Sequence, residues 1–261
     1  MYDFSASTTA QPDTLYKADI GPLSIWLRYT HREWQVASET GGDERRSRPL
    51  TAVRGKRAAA AREWARWPTE TADMSVRLGP VLPDRPTLVK PDSSLSMLAG
   101  SSALFFVGVP VNVRVLVGPK ETPLCDIPTV TLSNTWFGDP VSGELSYALK
   151  TRALRELSDA EPRPNVATCP LAVKNSSSSM LHFDRFNLHV EHLEIFLGQS
   201  RLWTNRVAVT FRGEDQMSQV NISRAPREIE TITAKLAEPR SPAERSFVKK
   251  SFGVLKNLAG Y

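Results

Sequence analysis

Cysteine is almost missing from this chain of 261 residues: Cys125 and Cys169 are the whole supply. That excludes a disulfide-dense secreted scaffold and the paired CxxC ligands of a zinc ribbon. Histidine is also scarce. His31, His182, His189 and His192 are the four present, which narrows general base catalysis without closing it. No apolar run approaches the roughly 20 residues that a helix needs to cross a bilayer. GxGxxG, Walker, HExxH and GxSxG patterns are all missing, so no nucleotide, metalloprotease or esterase signature is written in the chain. The opening MYDFSASTTAQPD has neither the basic start nor the apolar core of a secretory signal. With two thiols and no export signal, the expectation is a reduced, cytoplasmic protein that carries no cofactor.

What the chain does have is alternation. Hydrophobic residues make up 41% and charged residues 23%, ordinary for a globular protein, and the length permits two domains. Proline outnumbers glycine by 19 to 14, which suits many short strands with irregular edges. Leu23, Ile25 and Leu27 alternate with Ser24, Trp26 and Arg28. The polar turn Thr30-His31-Arg32-Glu33 then leads to Trp34, Val36 and Ser38, the pattern of a hairpin. From Ala103 to Val117 apolar residues keep one parity, and Pro110 implies a bulge or an edge midway along a strand long enough to pass between sheets. A second strand is read through Val130 and Leu132. Leu188 and Val190 are even and Leu193, Ile195 and Leu197 odd, so a bulge or short turn is required near Glu191.

The fold class expected is all-β: an immunoglobulin-like β-sandwich over 82–224, a smaller N-terminal β module over 1–81, and a linker with a short C-terminal amphipathic helix over 225–261. Ser241-Pro242-Ala243-Glu244 fits a capping box for that helix. Phe247, Phe252, Leu255 and Leu258 would form one face, and Arg245, Lys249, Lys250 and Lys256 the other. KRAAAAREWAR, 56–66, reads as a shorter helix ended by Pro68.

Three groups of residues are candidates for function. Between Asp43 and Trp67 lie eight basic and three acidic residues, an excess equal to the whole net charge of +5. Arg45, Arg46, Arg48, Arg54, Lys56 and Arg57 are its basic patch, a solvated loop able to meet phosphate or acidic lipid. The second group is the aromatic loop with Trp136, Phe137 and Asp139, and the third is RLWTNR with Trp203, Asn205 and Arg206. Both tryptophans share parity with apolar strand neighbours, which reads first as core; their polar surroundings add the ability to stack on a sugar or peptide. On a strand, His189 and Glu191 would lie on one face and His192 and Glu194 on the other. Two ligands per face fall short of the three or four that zinc takes, so no metal site is expected. Basic and aromatic residues are not interleaved as in an RNA-binding sheet, so nucleic acid is not an expected partner.

The segments LPDRPTLVKP (82–91), FFVGVPVNVRV, IPTVTLSNTWFGDPVSGELSYALKTRA, TCPLAVKNSSSSMLHFDR and RLWTNRVAVTFRG resemble a prokaryotic family known only as a domain of unknown function. The resemblance covers about 82 to 213. It implies a bacterial or archaeal, mostly β protein, brings no catalytic residue with it, and points to a membrane channel as a partner. The function expected is therefore a non-enzymatic macromolecular interaction or accessory role with a protein partner. The alternative is a β module that recognises a saccharide or other small polar molecule through the aromatic loop.

Overall fold

The computed structural model describes residues 1–53, 63–69, 74–91, 94–149, 153–213, 216–242, 244, 246–249 and 251–254. The strands begin with β1 (Ser7–Thr9), β2 (Tyr16–Ile20), β3 (Leu23–Thr30), β4 (Glu33–Thr40), β5 (Ser47–Ala52) and β6 (Ala65–Pro68). Next come β7 (Ser75–Val81), β8 (Thr87–Val89), β9 (Leu95–Met97), β10 (Ser102–Pro110), β11 (Asn112–Val117) and β12 (Thr122–Pro128). They are followed by β13 (Ser133–Phe137), β14 (Glu144–Leu149), β15 (Ala153–Leu154), β16 (Val166–Asn175), β17 (Leu181–Leu188) and β18 (Ile195–Gly198). The last six are β19 (Leu202–Thr204), β20 (Val207–Phe211), β21 (Ser218–Ile222), β22 (Ile232–Ala237), β23 (Ser246–Lys249) and β24 (Phe252–Val254). Among the described residues, helix is confined to two single 3-10 turns, Leu157–Asp159 and Val190–His192. The protein is all-β.

Two compact units share the chain. The first comprises Met1–Val81, Pro110–Thr131 and Pro162–Val166. It holds a five-stranded sheet, β5-β2-β3-β4-β6, and a four-stranded sheet, β1-β7-β11-β12. Positive φ at His31 (48°) and Arg32 (60°) makes a tight turn between β3 and β4 whose twist matches the strands it joins. Ile20, Leu23, Ile25, Leu27 and Trp34 are fully buried on this sheet. The unit is discontinuous because β7 needs β11 as its neighbour, in register from Asn112 opposite Val81 to Val117 opposite Val76. The odd valines from Val107 to Val117 are all buried, at 4% exposure or less. Pro110 ends β10, which belongs to a different sheet, and the Val111 N–H leaves the ladder to donate to the Asn165 carbonyl at 2.9 Å.

The second unit comprises Leu82–Val109, Leu132–Glu161 and Ala167–Tyr261. Its nine-stranded sheet runs β22-β18-β19-β16-β20-β21-β23, with β10 paired to β15 and β16. Its six-stranded sheet runs β13-β14-β8-β17-β24, with β9 also on β17. Most ladders are antiparallel, but β16 runs parallel to β19 and β20, and β14 parallel to β8. Phe183 and Phe211 pack edge-on against Phe252, at 5.0 and 5.8 Å between ring centres.

Three local expectations are corrected. The C-terminal amphipathic helix is not formed: Ser246–Lys249 and Phe252–Val254 are strands, on β21 and β17 respectively. Phe252 is buried in the unit's own core, so the segment gains more by completing two open sheet edges than an isolated short helix could. Leu255 and Leu258 lie outside the described residues. Val130 and Leu132 lie in the non-strand link between β12 and β13. The helix read over 56–66 falls mainly outside the described residues, but its last two residues, Ala65 and Arg66, open β6, an edge strand on β4 where the missing N–H of Pro68 costs no ladder bond.

Candidate functional site

The six residues of the two tryptophan groups divide by role. Trp203 is fully buried with Phe106 and Phe196, and its indole N–H donates to the Glu230 carboxylate. Asn205 is a strut: its amide oxygen accepts from the Glu194 N–H at 2.6 Å, and its amide nitrogen donates to Glu194 and to the Ser223 carbonyl. Arg206 pairs with Glu228 at 3.3 Å on the surface. Trp203 and Asn205 are thus committed to the fold, and Arg206 to a surface ion pair.

The aromatic loop is different. Trp136 stands at 49% exposure, which corrects its core reading, while Phe137 is buried. Parity carried from Val130 and Leu132 does not survive the bends at 129–130, so the phase restarts in β13. In the β13–β14 ladder Trp136 is opposite Leu145 and Asn134 opposite Tyr147, one face of the hairpin; Phe137 is opposite Glu144 and Thr135 opposite Ser146, the other. The outer face is braced. The indole N–H donates to the Asp139 carbonyl at 3.0 Å, and the Asp139 carboxylate accepts from the Val141 N–H at 2.9 Å. Gly143 is required here: a Cβ would come within 2.5 Å of the Trp136 indole nitrogen. Beside them Arg85 lies over the Tyr147 ring at 5.5 Å and donates to Asn134 at 2.9 Å.

The basic segment is partly built into the first unit. Arg46 and Arg48 reach the fully buried Asp19, at 3.4 and 3.8 Å. Those two arginines therefore help to hold a core carboxylate, and the freely solvated loop is not what they form. Arg45 is exposed, and Arg54, Lys56 and Arg57 lie outside the described residues.

Sequence reading missed a cluster in the second unit. The phase shift near Glu191 is made by the Val190–His192 turn, and this winds His189, Glu191 and His192 onto one side instead of splitting them between strand faces. One ligand atom from each lies within 4.8 Å of the others. Glu191 Oε1 is 3.2 Å from His189 Nδ1 and 3.5 Å from His192 Nε2. Behind them, Glu144 approaches His189 Nε2 at 3.4 Å and accepts from the Asn187 amide at 2.8 Å. Phe247 meets both imidazoles edge-on, at 5.7 and 5.5 Å. Asn187, His189 and Phe247 share a cavity with Leu193, Val207 and Val220 that has space for about one water.

The model of the family described as protein of unknown function (DUF432) matches residues 4–256. The chain belongs to that family. The match takes in the basic segment as well as the strands that carried the resemblance. No curated protein and no solved structure matches the chain.

Proposed function

We propose that the protein is a non-enzymatic binding protein that docks a protein partner on the outer face of the β13–β14 hairpin. The observation that carries this reading is Trp136: a large aromatic ring, half exposed, held in one orientation by its own loop. Leu145, opposite it, is 42% exposed, and Tyr147 and Arg85 extend the patch. Tryptophan, tyrosine and arginine are the residue types that dominate binding energy at protein interfaces. β13 is the last strand of its sheet among the described residues, so its open edge offers backbone groups to an extended segment. The cavity at His189 and Phe247 is not lined by the hairpin's outer face, so it is not a cleft for a saccharide stacked on Trp136.

A cytoplasmic setting belongs to the same proposal. Both thiols are free, and burial pushes Cys125 up to about 11 and Cys169 up to about 12, so neither is primed for exchange. The test is capture from the native host, with detergent-solubilised membranes as the first fraction because the resemblance implies a channel partner. The wild-type chain is compared with Trp136→Ala and with Arg212→Glu as a surface control. Loss of one specific partner with Trp136→Ala alone supports the reading. Identical capture by all three refutes it. Trp136→Ala should change stability by no more than about 0.5 kcal/mol, as an exposed site does.

A further inference from the structure

The histidine turn brings three potential metal ligands together, one atom from each within 4.8 Å of the others. We propose that His189 Nδ1, Glu191 Oε1 and His192 Nε2 bind one divalent transition-metal ion of the zinc class, leaving one further position for water. Zinc holds nitrogen and oxygen ligands at about 2.0–2.2 Å, so tetrahedral neighbours stand roughly 3.4 Å apart. The two contacts to Glu191 Oε1, 3.2 and 3.5 Å, bracket that separation.

The outer partners agree. His192 Nδ1 donates to the Ser241 carbonyl at 2.6 Å, which fixes the tautomer and leaves the Nε2 lone pair for a metal. With Nδ1 of His189 on the metal, its Nε2–H faces the Glu144 carboxylate at 3.4 Å. A carbonyl behind one imidazole and a carboxylate behind the other is the usual support of metal-bound histidine.

A second observation is independent of spacing. His189 Nε2, Glu191 Oε2 and Asn187 Oδ1 are buried without a hydrogen-bond partner. None of the three is a ligand atom of the proposal; they show that the buried side of the turn is more polar than its own hydrogen bonds satisfy, and His189 Nε2 is the nitrogen that faces Glu144. The charge has the matching sign: two carboxylates, Glu144 and Glu191, are offset by the half-exposed Lys249, 3.4 Å from Glu144. Two imidazoles and one carboxylate suit zinc better than calcium or magnesium, which take six or more oxygens or keep several waters.

The test uses the full chain, stripped with chelator and titrated with Zn2+ alone by calorimetry, alongside melting curves. The expected result is one Zn2+ per chain and a Tm that rises with Zn2+ concentration. Glu144→Gln should weaken binding by about 10- to 100-fold, as loss of a supporting partner does, and His192→Ala and Glu191→Gln by more than that. His182→Ala should bind as wild type. Glu191→Gln keeps the side-chain shape, so it reports on the site even if a histidine variant fails to fold. Absence of Zn2+ binding by the wild-type chain, or binding that survives both His192→Ala and Glu191→Gln, overturns the proposal.

Discussion

Each unit buries an ionisable group, Asp19 in the first and His189 in the second, and each surrounds it differently. Asp19 Oδ1 accepts from Ser24 at 2.5 Å and faces Lys17 at 3.1 Å and Arg46 at 3.4 Å; Oδ2 faces Arg48 at 3.8 Å. Burial pushes its pKa up, but hydrogen bonds from Ser24 and Lys17 and the charges of Lys17 and Arg46 outweigh that, and the carboxyl is held below its usual value. Around His189 the chain supplies two carboxylates and a second imidazole, and three atoms, His189 Nε2, Glu191 Oε2 and Asn187 Oδ1, make no hydrogen bond; at Asp19 the one such atom, Oδ2, faces the Arg48 cation. A buried carboxylate that the chain surrounds with three cations belongs to the fold. A cluster made of two imidazoles and a carboxylate is where a ligand would be recognised.

The largest effect that separates the two sites is Asp19→Ala. Removing one member of a buried charge group costs about 3–5 kcal/mol, and the low end applies because the three cations keep part of their hydration. Urea unfolding should show a loss of about 3 kcal/mol; a loss below about 0.5 kcal/mol, the scale of a surface substitution, would make Asp19 an ordinary surface carboxylate in energetic terms.

Acid comes next. A carboxyl whose pKa is lowered by folding stabilises the protein fully above its unfolded value, about 3.9 for aspartate, and loses that contribution as pH falls through its folded value. The stability gap between wild type and Asp19→Asn should therefore be constant near neutral pH and shrink below about pH 4. A gap that is flat down to pH 2 would mean that charge is not what Asp19 contributes.

The smallest effect is expected in the second unit. Without metal, Glu191→Gln should shift stability by no more than about 0.5–1 kcal/mol, because among the described residues its ion-pair partners are two histidines and no lysine or arginine. A loss as large as that of Asp19→Ala would erase the contrast between the sites.

Which parts of this were legible in the sequence follows from what alternation can encode. The odd valines of 107–117 report a buried sheet face directly, and Trp203 follows the parity of Val207 and Val209 into the core. Parity also located the break near Glu191, but not its consequence. A strand keeps His189 and His192 on opposite faces, whereas a 3-10 turn gathers them. Trp136 misled because the bends at 129–130 keep Val130 and Leu132 out of any strand, so their parity does not carry into β13. The C-terminal segment misled because Phe247 and Phe252 fit one helical face equally well. They settle in β23 and β24, on two different sheets, and a local pattern contains no record of which sheet edges stand open.

X-ray absorption at the zinc edge, on the full chain loaded with one equivalent of Zn2+, reads the ligand set of the histidine turn itself. The expected spectrum has nitrogen and oxygen around the zinc at about 2.0–2.2 Å, with the multiple scattering of two imidazoles. That signal should fall to one imidazole in His192→Ala. Sulfur at about 2.3 Å, which would bring in Cys125 or Cys169, or an oxygen-only shell, would contradict it.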